Sequence, residues 1–137
     1  MNHRGTKEEE EVNKREFDEL SGRVIGYAIE VHRSLGPGLL ESAYEACLCH
    51  ELTQGRVDYQ RQVPLPVLYK GIELDCAYRL DLIVERRLII EIKAVEKLLP
   101  IHTAQLLTYL KLSGIKVGLL MNFNAEALRA GIKRVSL

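Results

Sequence analysis

The stretch Tyr78 to Val95, YRLDLIVERRLIIEIKAV, leaves a folded chain few options. Two apolar runs, Leu80 to Val84 and Leu88 to Ile92, are separated only by the charged triplet Glu85, Arg86 and Arg87, the pattern of strand, tight turn and strand. With that triplet as the loop, Val84 faces Leu88, and counting back along both strands sets Asp81 opposite Glu91. Side chains alternate across a strand, so Asp81, Glu91 and Lys93 share one face while Leu80, Leu82, Ile90 and Ile92 take the other. Directly opposed residues have Cβ atoms ~4.5 to 5.5 Å apart, and like charges there are destabilising. Neither strand has the polar alternation of a half-exposed sheet, so the two carboxylates sit where an unpaired charge is expensive. Lys93 offers partial compensation, and a divalent cation between the carboxylates offers more, since Mg²⁺ is commonly held by one or two carboxylates and several waters. A lysine beside such a pair is placed to stabilise a developing oxyanion or to help acidify an attacking water. The competing explanation is a cross-strand salt bridge on a solvated face.

A chain of 137 residues, 47% hydrophobic, has room for one domain with one core. Its longest apolar runs, such as Val117 to Met121, are far shorter than the ~20 residues of a membrane span. No basic start followed by an apolar segment marks a signal peptide, so a cytoplasmic location and no membrane partner are expected. The three cysteines, Cys47, Cys49 and Cys76, include no CxxC pair and indicate neither a disulfide framework nor a zinc site; all three read as small buried side chains. Zero formal net charge argues against a protein that merely coats nucleic acid. Residues 1–20 hold seven acidic and four basic side chains, which leaves a modest positive excess on the rest.

Residues 1–14 form an acidic segment with little to bury, expected to be frayed or disordered, and residues 15–137 form a single domain. From Phe17, apolar residues at Leu20, Val24, Ala28, Val31 and Leu35 predict an amphipathic helix to about Ser34, stopped by Gly36, Pro37 and Gly38. A second helix is expected from Leu39 to Gln54, with Leu40, Ala43, Tyr44, Cys47, Leu48 and Leu52 as its stripe. Glu41 and Tyr44, three apart in its first turns, project to one side; taken alone they read as a dipole-favoured carboxylate and a core ring. Val57 to Leu68 is extended, confined by Pro64 and Pro66 to an edge or bulged strand. After a Lys70-Gly71 turn, Ile72, Leu74 and Cys76 alternate into the central hairpin as an antiparallel meander. A helix over Ile101 to Leu112, a strand over Val117 to Phe123, a short helix over Ala125 to Arg129 and a strand over Ile132 to Val135 complete the chain. The order α α β β β α β specifies an α/β sandwich: a central mixed β-sheet flanked by helices, with a β-α-β connection through the Ile101 helix.

Asp81, then Glu91-x-Lys93, then a helix bearing Gln105 and Tyr109 one turn apart, resembles the PD-(D/E)xK nuclease superfamily, whose core order is α β β β α β. More narrowly, Gly38-Leu39-Leu40-Glu41-Ser42-Ala43-Tyr44 matches the GxxExxY signature of a family of small bacterial and archaeal proteins assigned to that superfamily. The resemblance spans Leu20 to Phe123 and implies a restriction-endonuclease-like fold. It implies Asp81 and Glu91 as metal ligands, Glu41 as an additional acidic ligand, and Lys93 as the residue that orients or activates water. Gln105 would act beside the site, and Tyr44 and Tyr109 would lie near substrate. The superfamily's proline is absent here, since Arg79-Leu80 precedes Asp81. The function implied is phosphodiester hydrolysis with Mg²⁺ or Mn²⁺, on nucleic acid, with DNA favoured over RNA and little sequence specificity. Pairing into a homodimer is one way a domain this small cuts two strands. The alternative is a non-catalytic nucleic-acid-binding or protein-interaction module that keeps the nuclease fold. His102 is the histidine nearest the site in sequence and a candidate base, though without a partner at diagnostic spacing.

Overall fold

The computed structural model describes the backbone of residues 3–137 and the side chains from residue 19 onward. Helix α1 (His3–Leu35) is followed by α2 (Glu41–Gln54), β1 (Tyr59–Pro64), β2 (Val67–Tyr69), β3 (Ile72–Leu74), β4 (Arg79–Val84), β5 (Leu88–Lys93), α3 (Pro100–Ser113), β6 (Val117–Asn122) and β7 (Ile132–Ser136). The expectation for residues 1–14 falls on Met1 and Asn2, which lie outside the described residues, and on turns of α1 whose side chains also lie outside them. A five-stranded mixed sheet in the order β1-β4-β5-β6-β7 forms the centre. It is antiparallel except for β5 and β6, which run parallel and are joined through α3. This is the expected α/β sandwich of restriction-endonuclease type.

The two faces of the sheet are covered by different helices. On one, Leu20, Val24, Ala28 and Val31 of α1 and Tyr44, Leu48 and Leu52 of α2 pack on Leu82, Val84, Leu88, Ile90 and Ile92. On the other, Leu106, Tyr109 and Leu110 of α3 pack on Ile83, Ile89 and Leu120. Burying each large aliphatic side chain contributes ~1.5 to 3 kcal/mol, so both layers hold the sheet firmly. Every residue of β6 is buried, as a central strand covered on both faces requires.

Several expectations need correction. The strand that completes the antiparallel meander is β1, paired with β4, whereas β2 and β3 pair only with each other as a separate two-stranded sheet. Pro64 and Pro66 end the edge strand, and the chain then turns on itself at Lys70 and Gly71; Leu68, Tyr69, Ile72 and Leu74 stay exposed, as does Cys76. Helix α2 starts at Glu41 rather than Leu39, so Leu40 lies before the first turn and is 78% exposed instead of joining the stripe. The short helix near Arg129 is a 3₁₀ turn at Leu128–Gly131.

The hairpin register is as counted, Val84↔Leu88, Ile83↔Ile89 and Leu82↔Ile90, with Glu85 and Arg86 at left-handed φ of 52° and 57°. The ladder stops one residue short of Asp81 and Glu91. On the other side of β4 the β1 register likewise skips the Gln62 and Asp81 position, and Gln62 has a left-handed φ of 53°. Alternation fails across this kink. Leu80, expected with Leu82, instead packs with Leu65 and the α3 layer.

Candidate active site

The site begins with the sheet's interruption at Asp81. Where the ladder would continue, the Asp81 carboxylate takes the role of a strand carbonyl: its Oδ2 accepts the Ile92 N–H at 2.8 Å. In return the Asp81 N–H donates to Glu91 Oε1 at 3.4 Å. The two side chains thus face each other across a gap that backbone pairing has vacated. Glu91 is 5% exposed. Burial first, then the charge of Asp81 and a side-chain hydrogen bond with it, push the Glu91 carboxyl up to about 9, against a partly offsetting attraction from Lys93. In the absence of a cation the pair therefore keeps a proton, the expected state of two carboxyls sharing a dry site.

Lys93 is half-buried and forms no ion pair within 4 Å among the described residues. The backbone around it is clamped from both sides. Phe123 N–H donates to the Lys93 carbonyl at 2.8 Å, and the Asn122 side-chain amide pairs with both the N–H and the carbonyl of Val95 at 3.1 and 2.9 Å. From the opposite face of the sheet, Glu41 Oε1 accepts the Ala94 N–H at 3.2 Å. Glu41 thus reaches the end of β5, one residue beyond Lys93. Among the described residues no group of three His, Cys, Asp or Glu side chains converges as a ready-made metal cage. The carboxylates that meet are Asp81 and Glu91, with Glu41 at the rim.

The GLLESAY segment has a mechanical reading. Gly36 and Gly38 adopt φ of 69° and 100°, which L side chains rarely take. The Tyr44 hydroxyl donates to the Gly36 carbonyl at 2.7 Å and accepts the Leu39 N–H at 3.0 Å, while its ring stacks on Phe123 at 4.6 Å. Tyr44, expected near substrate, is fully buried, and it serves the site by fixing the loop that aims Glu41. Tyr109 is buried on the α3 face beside the carboxylates; burial, then the charge of Glu91, raise its phenol, which stays a hydrogen-bond donor. Tyr78, which is exposed, has its ring 6.2 Å from that of Tyr109. Gln105 is half-buried one turn before Tyr109. His102 is committed elsewhere, since its Nδ1 accepts the Leu99 N–H and caps the start of α3.

A family model for the PD-(D/E)XK nuclease superfamily matches residues 18–135, nearly the whole chain. The chain belongs to the PD-(D/E)XK nuclease superfamily. Comparison with curated proteins and with solved structures gives no match. Members of this superfamily are usually nucleases, and they typically use divalent metals such as Mg²⁺ or Mn²⁺. The residues present fit such an ion: two oxygen-donor carboxylates, one of them buried and costly to ionise alone, meet two residues from a half-buried lysine. No helix of the described residues is long and apolar enough to cross a membrane.

Glu45 and Gln62, both near the site, carried no weight in the sequence reading. Glu45 is buried, accepts Arg61 Nε and Gln62 Nε2 at 2.7 Å each, and is one helical turn after Glu41. That spacing was a usable signal for Glu45. Gln62 had none, because its placement depends on the kink in β1.

Proposed function

We propose that this chain is a metal-dependent nuclease of the GxxExxY kind that hydrolyses phosphodiester bonds of DNA with little sequence specificity, in the cytoplasm. The observation that carries the reading is the meeting of Asp81 and Glu91 where the β4–β5 ladder stops, two residues from Lys93. Asp81 and Glu91 would hold a divalent ion, which when bound would supply charge neutralisation at the phosphate and acidify a water for attack near neutral pH. Lys93 directs its ammonium at the attacked phosphate and attacking water, where positive charge stabilises the oxyanion that develops as the new P–O bond forms and the old one breaks. Glu41 holds the backbone that carries Lys93 and adds negative charge at the rim. Tyr109, kept protonated, offers a donor to a phosphate oxygen, and Gln105 lies one turn away for the same backbone. Little sequence specificity is expected, because one minimal core leaves no separate module for reading bases. A homodimer would provide the second cut of a duplex.

The test is nicking of supercoiled plasmid in Mg²⁺, Mn²⁺ or EDTA by the wild type and by Asp81→Ala and Lys93→Ala variants whose folding is checked by circular dichroism. Cleavage that needs the metal is expected, with a loss of ~10² to 10³-fold in Lys93→Ala, the range for removing a group that stabilises transition-state charge. Lys93→Ala should still bind Mn²⁺, since the change deletes a positive charge next to the cation, whereas Asp81→Ala should not. Wild-type protein that leaves plasmid, single-stranded DNA and RNA intact in either metal would sink the nuclease reading.

A further inference from the structure

In a regular strand, consecutive side chains point to opposite faces. In β1 they do not: Arg61 Nε and Gln62 Nε2 both donate to the one buried carboxylate of Glu45, to Oε2 and Oε1, at 2.7 Å each. The left-handed φ of 53° at Gln62 is what turns the second side chain onto the same partner, and it is an unfavourable conformation for a glutamine. The same amide nitrogen also lies 3.5 Å from Asp81 Oδ1, and the Ile92 N–H holds the other oxygen, Oδ2. A chain of contacts therefore runs from Arg61 through Glu45 and Gln62 to Asp81. Arg61 is 43% exposed and fixes the outer end with a charge-assisted bond to a carboxylate that is itself buried.

We infer that Gln62 is a positioning residue for the metal site: locked by the Glu45–Arg61 pair, its amide sets the orientation of the Asp81 carboxylate so that the remaining lone pairs face Glu91. The inference rests on the reading of Asp81 and Glu91 as ligands. An amide suits the task because it donates to two carboxylates at once and adds no charge to a crowded anionic site. Glutamate at this position would place a third negative group between them. Partners one shell beyond a ligand typically change metal affinity by ~10 to 100-fold, so the effect is measurable without any nucleic acid.

The decisive variant is Gln62→Gly, which removes the amide and relieves the left-handed strain. The change also takes one donor from the buried Glu45 carboxylate, so a purely structural role predicts an altered thermal stability in EDTA with an unchanged metal affinity. A positioning role predicts Mn²⁺ affinity, by titration calorimetry, weakened ~10-fold or more in a protein that still folds cooperatively in EDTA. Gln62→Asn provides the second measurement: asparagine tolerates the left-handed backbone and keeps an amide, but its shorter side chain does not span Glu45 and Asp81, so affinity should fall here as well. Wild-type affinity in both variants would overturn the role of Gln62, while loss of binding in a parallel Asp81→Ala sample keeps the ligand assignment standing. Absence of Mn²⁺ binding by the wild type would overturn both.

Discussion

Glu91 is a carboxylic acid held almost entirely out of water. Its carboxyl titrates near 4.5 in an open chain and is pushed up to about 9 in the fold, chiefly by burial and then by Asp81. The folded state therefore holds this proton more tightly than the unfolded state does. In EDTA the group's contribution to stability is complete below about pH 4.5 and is lost as the pH climbs toward about 9. Thermal melts of wild type and Glu91→Gln across that window should diverge, with wild type losing ground at the alkaline end. Saturating Mn²⁺ should end the wild type's loss at the alkaline end by favouring the ionised pair. Parallel curves in EDTA would mean that Glu91 is already ionised in the fold. Asp81, Glu91 and Lys93 were readable because a three-residue turn fixes which residues oppose each other, and the structure has that turn. The local disturbance they cause was not readable, since nothing in YQRQVP announces that Gln62 turns left-handed and carries Arg61's partner with it.

At the scale of elements, close approaches show which contacts tolerate no added atom. A Cβ at Gly131 would come within 2.6 Å of the Asn122 backbone oxygen, whereas one at Gly118 would meet the end of the Leu106 side chain at 2.9 Å. A side-chain methyl can swing aside and a strand carbonyl cannot. Gly131→Ala should accordingly cost ~1 to 3 kcal/mol in urea unfolding and exceed the loss in Gly118→Ala. Gly131→Ala also presses on the residue whose amide clamps Val95, so the end of β5 should loosen with it. Helices α1, α2 and α3 and strands β4 to β6 were legible because each shows a clear period or a continuous apolar run. The destination of β1 was not, because an edge strand with polar residues on three successive positions and two prolines nearby gives no indication of which neighbour it joins. The β2–β3 pair misled for the converse reason: its residues have strand character yet bury little.

Across the whole molecule, the connection of β5 to β6 through α3 followed from order and length alone, and it determines that the Glu91-x-Lys93 strand is central and covered. The two layers around that strand are chemically unequal. The α2 side brings in one buried carboxylate, Glu45, already answered by Arg61 and Gln62, while the α3 side sets Tyr109 against the charges of Glu91 and Asp81. Two carboxylates on an open hairpin repel weakly in water, and the repulsion grows as docking of α3 lowers the local dielectric. Because Arg61 answers the charge of Glu45, the uncompensated penalty falls chiefly on α3. Native-state amide exchange should report it: in EDTA, near pH 8, the amides of Leu106 to Leu110 should exchange through smaller openings than those of Leu48 to Leu52, and Mn²⁺ should narrow the gap. Equal protection of both helices with and without the ion would contradict this account. In the language of local opening, α3 behaves as a hatch over a loaded spring, and its free energy of release is a thermometer for whether the charge beneath has been neutralised.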